Sequence, residues 1–422
     1  MEILLSISIA LCAGLLVSRF VKPLKMPAVT GYLIAGILIG PYVMGRLGVD
    51  GLGFTSMARV KEMSLLNDVA LGFIAFAIGN EFRLSQLRHT GRQALVIGIF
   101  QALVAALMVD IALVALHFFV LGDALPLADA ITLGAIATAT APAATLMVVR
   151  QYKAKGKLTD LLLPIVAIDD AVGLIVFAVS FGAAKAMHFG QFDAISILVE
   201  PIVEIIGSLL LGFAMGVIFS AVEKYFKSNS KRLSLSITFV IMTVALSMME
   251  FEIGSIRVGF SSLLVCMMLG TVFCNECDFS EEIMGKTDRW TAPLFILFFV
   301  LSGAELELSV FSDAAIVFIG VAYILSRSLG KWLGASVSAR FMRCEPLIQK
   351  YLGVTLLPQA GVALGMSVTV AQTLGERGAT VRNIVLFGVL IYELVGPTLT
   401  RIALTRAGDI TPKAQAIETQ DE

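Results

Sequence analysis

Long apolar runs, separated by short breaks that carry charges, Gly or Pro, recur along the whole chain of 422 residues. A helix needs about 20 apolar residues to cross a bilayer. Thirteen runs are candidates, with ends uncertain by several residues. They cover 2–18, 28–45, 64–80, 93–121, 130–149, 161–184, 195–222, 233–250, 258–274, 291–304, 314–338, 351–373 and 383–400. The pattern predicts an all-α, polytopic membrane protein with about 13 transmembrane helices.

The composition agrees with this pattern. Apolar residues make up 58% of the chain and charged residues only 15%, whereas soluble chains are about a quarter charged. The net charge is −1, and no basic block indicates nucleic acid as a partner. The chain has no P-loop and no GxGxxG that opens a helix, so the sequence predicts neither an enzyme nor a cofactor.

The loops are too short for a soluble domain, since the longest run about 45–63 and 275–290. One membrane domain is therefore expected, with a short tail at 405–422. Basic residues collect on the cytoplasmic side. Loops after odd-numbered spans, with the tail, hold 22 Lys and Arg, and the other loops hold 7. This bias predicts an outside N-terminus and a cytoplasmic C-terminus in a cell (inner) membrane.

Ionisable residues inside predicted spans are few. Each costs about 2.5–3.5 kcal/mol at a span centre and is a functional candidate by default. The candidates are Asp68, Asp110, Asp169, Asp170, Arg327, Lys331 and Glu393. For Asp110 and Glu393 a locally hydrogen-bonded or protonated acid is an equally good explanation, and for Asp68, near a span end, it is the preferred one.

Only the sixth span carries two adjacent acids, Asp169 and Asp170. Successive helical residues point about 100° apart, so one carboxylate can face a pathway while the other pairs sideways with a cation. A salt-bridged pair that only ties helices together is the alternative. Apolar packing would join helices at lower cost, which favours the functional interpretation.

Two spans are interrupted in matching positions. Pro142 follows Thr138 and Thr140 in the fifth span, and Pro358 precedes Gln359 in the twelfth. A proline removes an intrahelical bond, and in lipid the freed carbonyls need protein or a water-filled cavity as a partner. Taken singly, each proline indicates no more than a kink.

The pair of breaks indicates more, because the two spans are seven apart and so run in opposite directions. Inverted repeats at about 1–187 and 233–404 are predicted around a linking span, 195–222. Paired interruptions in such repeats point to an ion or substrate site at the membrane midplane. Acids, cations and breaks all fall in spans 4–6 and 11–13, which form one candidate transport bundle.

The Cys274–Cys277 pair is a lone CxxC motif. Without a second pair it is only a weak indication of a metal or redox role.

Five stretches together carry a family resemblance. They are the run 27–41, Thr140-Ala141-Pro142, Asp169-Asp170, Arg327-Ser328-Leu329-Gly330 and Val395-Gly396-Pro397. In this order they resemble the monovalent cation/proton antiporters, in particular the thirteen-span bacterial sodium/proton antiporters. The resemblance implies a core bundle with two crossed discontinuous helices, a dimerisation part formed by spans 1–3 and 8–10, a homodimer, and alternating access.

The resemblance also implies site roles. Asp170 matches the essential ion-binding acid, Asp169 its neighbour, and Arg327 the cation partner, with Lys331 one turn later on the same face. Na⁺ is the expected ion, with Li⁺ and K⁺ as alternatives, and it would compete with protons for the two aspartates. Arg327 would hold Asp169 ionised while the cation is absent.

Two points in the site stay open at this stage. Many relatives carry an acid where Ala141 stands, so neutralisation of the crossed helix ends is expected from Glu393 or other groups. An Asp-Asp pair combined with an arginine leaves the transport stoichiometry open.

Three other functions would use parts of this pattern. A membrane aspartyl enzyme would need a second spaced Asp motif, which the chain lacks. A channel would pass current without proton coupling. A sodium-coupled organic-anion symporter of related fold would use Arg327 to bind a carboxylate, but it fits two acids at the site less well.

Overall fold

A computed structural model describes residues 2–21, 23, 28–49, 52–80, 82–141, 145, 148–149, 152–189, 200–249, 251–253, 256–306 and 314–410. Within this part the chain forms fifteen bounded α-helices: α1 (Glu2–Val21), α2 (Ala28–Ile39), α3 (Met57–Lys61), α4 (Ser64–Asn80), α5 (Leu84–Leu116), α6 (Leu127–Ile136), α7 (Lys157–His188), α8 (Glu200–Glu223), α9 (Asn229–Ser247), α10 (Ser262–Glu276), α11 (Ser280–Ala304), α12 (Ala314–Phe341), α13 (Pro346–Thr355), α14 (Gly361–Leu374) and α15 (Glu376–Ala407).

The helical fold class is confirmed, with one small departure. A two-stranded antiparallel hairpin, β1 (Phe251–Ile253) and β2 (Ile256–Val258), pairs Phe251 with Val258. Each predicted span overlaps a described helix. Among the described residues, eight helices are long and apolar enough to cross a membrane, in α1, α2 with its following turn, α5, α7, α8, α9, α12 and α15.

Some predicted boundaries are wrong. α15 begins at Glu376, not at 383, so Arg377 and Arg382 lie in the helix and not in a loop. Arg382 is also buried, at 5% exposure. The sequence pattern placed it outside because a charge ordinarily ends an apolar run. By contrast, the predicted span 28–45 agrees with the candidate membrane span Ala28–Leu47, which consists of α2 and the turn that follows it.

The helices fall into two compact units. Unit 1 is formed by the described residues of 1–24, 28–86 and 185–308, and unit 2 by those of 87–184 and 309–422. Unit 1 contains the helices of the predicted dimerisation part together with α8, the predicted linking span. Unit 2 contains the helices of spans 4–6 and 11–13.

Unit 1 is held together by small residues and a cluster of aromatic rings. A Cβ placed on Gly36 of α2 would lie 1.9 Å from the Val300 carbonyl oxygen of α11. Only glycine permits this backbone approach, which is typical of packed membrane helices. On the other side of unit 1, Phe219 stacks on Phe273 with ring centroids 4.3 Å apart and on Phe239 at 5.0 Å.

The two CxxC cysteines lie in unit 1, and both are buried free thiols. Burial raises the pKa of the Cys277 thiol to about 11, and the neighbouring Glu223 carboxylate adds to the shift. Such a thiol carries little thiolate near neutral pH and is a poor redox nucleophile. No group of three or more potential metal ligands occurs among the residues that the structure describes.

Unit 2 brings three helices together through glycine contacts. A Cβ on Gly330 or Gly334 of α12 would lie 2.8 or 2.7 Å from the Cα atoms of Ala105 and Gln101 on α5. α5 also packs on α7, where a Cβ placed on Gly98 would lie 3.0 Å from the Ile168 side chain. α5 therefore contacts both α12 and α7 where the polar residues of unit 2 lie.

The start of α7 is capped from a distant part of the chain. Oδ2 of Asp409, which follows α15, accepts hydrogen bonds from the Thr159 backbone N–H at 2.7 Å and the Thr159 hydroxyl at 2.8 Å. The Lys155 N–H donates to the Asp409 carbonyl oxygen at 2.9 Å. This contact satisfies first-turn donors of α7 and places a negative charge at its N-terminus.

Replacing Asp409 by Ala removes this cap. We expect a loss of about 1 kcal/mol, seen as a melting temperature a few degrees lower for the purified protein. Asp160→Ala is the matched control, because Asp160 is an exposed acid in the same first turn. A melting temperature of Asp409→Ala no lower than that of the control would show that the contact does not stabilise α7.

Candidate functional site

Two helices of unit 2 are interrupted and joined at their breaks. α6 ends at Ile136 and the chain runs on without helix through Ala141. α13 ends at Thr355, and α14 begins only at Gly361. The Ala141 N–H donates to the Pro358 carbonyl oxygen at 2.8 Å, so the two breaks meet. The predicted break at Pro358 is present, whereas Pro142 lies outside the described residues.

The carbonyl oxygens freed by the breaks have donors from unit 2. The Gln359 side-chain amide donates to the Ile136 carbonyl at 3.0 Å. The Thr140 and Thr145 hydroxyls donate to the carbonyls of Leu356 and Thr355 at 3.3 and 3.2 Å. Since hydrocarbon offers no donor, these contacts are what allows the non-helical backbone at this depth.

Arg327 joins both breaks. Its Nε donates to the Ala137 carbonyl at 3.0 Å, Nη2 to Ala139 at 2.6 Å and Nη1 to Leu357 at 2.7 Å. The side chain is fully buried, and its guanidinium lies 4.5 Å from the centre of the Tyr392 ring. The planar fork thus neutralises the C-terminal, partly negative ends of α6 and α13.

This geometry corrects an expectation about Arg327. The family resemblance implied that Arg327 holds Asp169 ionised, and it left neutralisation of the crossed helix ends to Glu393 or other groups. In the structure Arg327 binds the helix ends, and Glu393 is buried in α15 at 1% exposure. The sequence could not distinguish these partners because the carbonyls reached by Arg327 belong to two remote segments.

Lys331 is the ion-pair partner of Asp169. Its Nζ lies 2.8 Å from Asp169 Oδ2, and both side chains have zero exposure. The same ammonium donates to the Thr140 hydroxyl at 2.9 Å and to the Thr138 carbonyl. Lys331 thus joins the acid on α7 to the break after α6.

Asp169 has a second partner that the sequence analysis missed. The side-chain amide of Gln101, on α5, donates to Asp169 Oδ1, and Gln101 is fully buried. The only signal in the sequence was a polar residue inside the apolar fourth span. Asp170 lies in α7 beside Asp169, but its side chain is outside the described residues.

Tyrosines surround the arginine. The Gln359 amide donates to the Tyr323 hydroxyl at 2.9 Å, and the Tyr392 hydroxyl donates to the Ile324 carbonyl at 2.7 Å. Both rings are buried. Sequence reasoning missed both residues, because a tyrosine in an apolar run does not stand out.

Asp110 lies on α5 against the break-bearing helix. A Cβ placed on Gly134 of α6 would fall 1.8 Å from Asp110 Oδ1, so the carboxyl packs directly on the α6 backbone. This oxygen has no hydrogen-bond partner among the residues that the structure describes. Asp110 therefore contacts α6, the helix that precedes Thr138.

The two buried cations, Arg327 and Lys331, have different kinds of partner. Arg327 is bonded to backbone carbonyls, which cannot ionise. Lys331 is bonded to a carboxylate, which can change partner or protonation. Carboxylate, hydroxyl and carbonyl oxygens lie together at the Lys331 ammonium, and these are the ligands that hard cations prefer. The oxygens around the ammonium are thus of the kind that suits a small cation.

The chain is similar to known proteins in sequence and in structure. A family model described as the transmembrane sodium/hydrogen exchanger matches residues 7–406. The Na(+)/H(+) antiporter NhaS4 of Synechocystis is 25% identical over 363 residues, covering 83% of this chain and 84% of that protein. The high-affinity Na(+)/H(+) antiporter NhaS3 of Synechocystis is 23% identical, covering 74% and 70%.

The fold also has a solved counterpart. The sodium proton antiporter MjNhaP1 of Methanocaldococcus jannaschii, at pH 8, superposes with a TM-score of 0.74 over 97% of this chain and 99% of that one. The two share 18% sequence identity, so this match describes the fold.

Replacing Arg327 by Lys keeps the charge but removes the planar fork that reaches three carbonyls. We expect carbonyls left without donors and a loss of about 1–3 kcal/mol for each, seen as a markedly lower melting temperature. Arg340→Lys, at an exposed position of the same helix, is the control and should melt like the parent. Equal melting of the two variants would contradict the role given to Arg327.

Proposed function

The chain belongs to the transmembrane sodium/hydrogen exchanger family, which matches residues 7–406, and from this membership we propose that it exchanges Na⁺ for protons as a secondary antiporter. Family membership and eight candidate membrane-spanning helices make it a multi-pass membrane protein and a transporter. The proposal concerns how unit 2 performs the exchange.

The observation that carries the proposal is the fully buried Lys331–Asp169 pair beside the crossed breaks. An isolated ionised group is costly in such surroundings, and a paired one much less so. A monovalent cation carries the same charge as the lysine ammonium, so it can take the ammonium's place on Asp169 without leaving the carboxylate uncompensated. We infer that Lys331 and Na⁺ compete for this acid.

The identity of the partner matters for proton coupling. A buried lysine gives up its proton readily, whereas arginine stays protonated under almost any burial. When Na⁺ takes Asp169, the released Lys331 has lost its counter-charge, and losing a proton removes the unpaired charge. Because the Asp169 partner is Lys331 and not Arg327, the counter-charge itself becomes a possible proton carrier.

Asp170 supplies the second acid of the proposal. It is the residue that follows Asp169 in α7. We propose that Asp170 binds the cation from the pathway and exchanges it for a proton, as its position in the sequence motif implies. Thr138, Thr140, Pro358 and Gln359 would line the site from the breaks.

We also propose how the protein transports, assembles and lies in the membrane. Transport would follow alternating access, with inverted repeats and with dimerisation through helices of unit 1. The protein would lie in the inner membrane, with the N-terminus outside and the C-terminal tail in the cytoplasm. It would need no cofactor, catalyse no chemical reaction, and contact lipid as its other partner.

The alternative of an organic-anion symporter loses its main support. That interpretation used Arg327 as the carboxylate binder, but Arg327 donates to three backbone carbonyls and covers the Tyr392 ring. A guanidinium with these partners is not presented to a substrate. Li⁺ and K⁺ stay as alternative ions, since nothing in the donor set excludes them.

A transport assay distinguishes these possibilities. The full chain is reconstituted in proteoliposomes with a pH-sensitive dye, and Na⁺, Li⁺ or K⁺ is added at several pH values, with and without a clamped membrane potential. Na⁺-dependent proton flux is the expected result, and the effect of the clamp measures electrogenicity. Current without proton flux would indicate a channel, and no flux with any cation would overturn the proposal.

Replacing Asp170 by Asn removes the proposed exchange acid. We expect loss of Na⁺-dependent proton flux in the same assay, because an amide cannot take up a proton or compensate the charge of the cation. The control is Asp160→Asn, an exposed acid on the same helix, which should retain parental flux. Substantial flux with Asp170→Asn would show that another group carries the proton.

A further inference from the structure

Gln101 is a buried amide at the site to which no role has been assigned. It lies on α5 with zero exposure. Its Nε2 donates to Asp169 Oδ1 and to the Gly98 carbonyl oxygen, the latter at 3.0 Å. A glutamine in an apolar span has a desolvation cost, so its presence there calls for a physical reason.

The orientation of the Gln101 amide follows from its partners. Amide nitrogen and oxygen are hard to distinguish by shape alone, and hydrogen-bond partners must decide between them. Both groups that contact one end of the amide, a carboxylate and a backbone carbonyl, are acceptors. That end must therefore be the NH₂ donor, and the other end is the oxygen Oε1.

Oε1 is the unusual atom. It is buried and has no hydrogen-bond partner among the residues that the structure describes. Buried amide oxygens ordinarily accept at least one bond. Because Nε2 and Oε1 are two bonds apart, this unsatisfied acceptor lies beside the Asp169 carboxylate.

The packing around Gln101 keeps the amide in this position. A Cβ on Gly334 of α12 would lie 2.7 Å from the Gln101 Cα, so the two backbones are in close contact. Gly98, one turn earlier, is similarly close to Ile168 of α7. The side chain is thus enclosed between the helix that carries Lys331 and the helix that carries Asp169, and it has zero exposure.

We propose that Gln101 Oε1 is a neutral oxygen ligand for the transported cation. When the cation replaces Lys331 on Asp169, it supplies the contact that Oε1 lacks. This inference rests on the proposed exchange at Asp169 and adds a residue to it. Amide oxygens are established ligands of hard cations. An amide does not bind a proton in the physiological range, so Gln101 strengthens cation binding without strengthening proton binding.

The experiment compares two substitutions of Gln101 in proteoliposomes of the full chain. Gln101→Met removes both donor and acceptor at similar length, and Gln101→Glu keeps an oxygen acceptor but loses the NH₂ donor. The apparent KM for Na⁺ and the maximal rate are measured at alkaline pH, with melting temperatures of each variant. Gln93→Met is the matched control, since Gln93 is an exposed glutamine on the same helix.

A cation ligand predicts that Gln101→Met raises the KM for Na⁺ about tenfold, with a maximal rate within about threefold of the parent, because one ligand among several is lost. Gln101→Glu should keep the parental KM or lower it. If Gln101 only holds Asp169 by its donor, glutamate would place a like charge there and raise the KM above that of the parent.

Either a parental KM in Gln101→Met or a raised KM in Gln101→Glu overturns the proposal. Gln101→Glu decides the question by itself if the methionine variant does not fold. Absence of Na⁺-dependent proton flux in the parent is a different result, because it would overturn the proposed exchange and not the assignment of Gln101. The Gln93→Met control should match the parent in KM and rate.

Discussion

The structure of unit 2 depends on one constraint: backbone carbonyls released inside a membrane protein must find donors within the protein. Two helices are broken at the same place, and their free carbonyls receive donors from Arg327, Lys331, Gln359 and Thr140. These donors come from the break segments and from α12. The need to satisfy the breaks therefore brings the cations of α12 to the acid of α7.

This constraint gives the two cations of α12 different partners, each suited to its chemistry. Arginine is planar, permanently charged and has several donors, so it matches three carbonyls that never change. Lysine is a single ammonium on a flexible stem and is able to lose its proton, so it matches a carboxylate that exchanges partners. The contacts of Arg327 with the carbonyls and the ion pair of Lys331 lie one helical turn apart on α12. The arginine contacts hold the geometry in which the ion pair exchanges partners.

The sequence predicted the features that are costly in a membrane. Asp169, Pro358 and the cations stood out because charges and prolines are rare in apolar spans, and their spacing indicated opposed breaks in one bundle. The partners could not be predicted. Arg327 and Lys331 differ by four residues, so they point only about 40° apart on α12, and which one meets Asp169 depends on remote carbonyls. Gln101 was missed because an uncharged amide is a weaker signal, and Arg382 was placed in a loop because a charge ordinarily ends an apolar run.

The central claim is that Lys331, and not Arg327, is the counter-charge of Asp169. A pair of double-mutant cycles tests it most directly, with unfolding free energies of Asp169→Asn, Lys331→Gln, Arg327→Gln and the two double variants that include Asp169→Asn. Pairing of Asp169 with Lys331 predicts a coupling of about 1.5 kcal/mol or more between these two residues, and additivity within about 0.5 kcal/mol between Asp169 and Arg327. Strong coupling to Arg327 with additivity at Lys331 would contradict it.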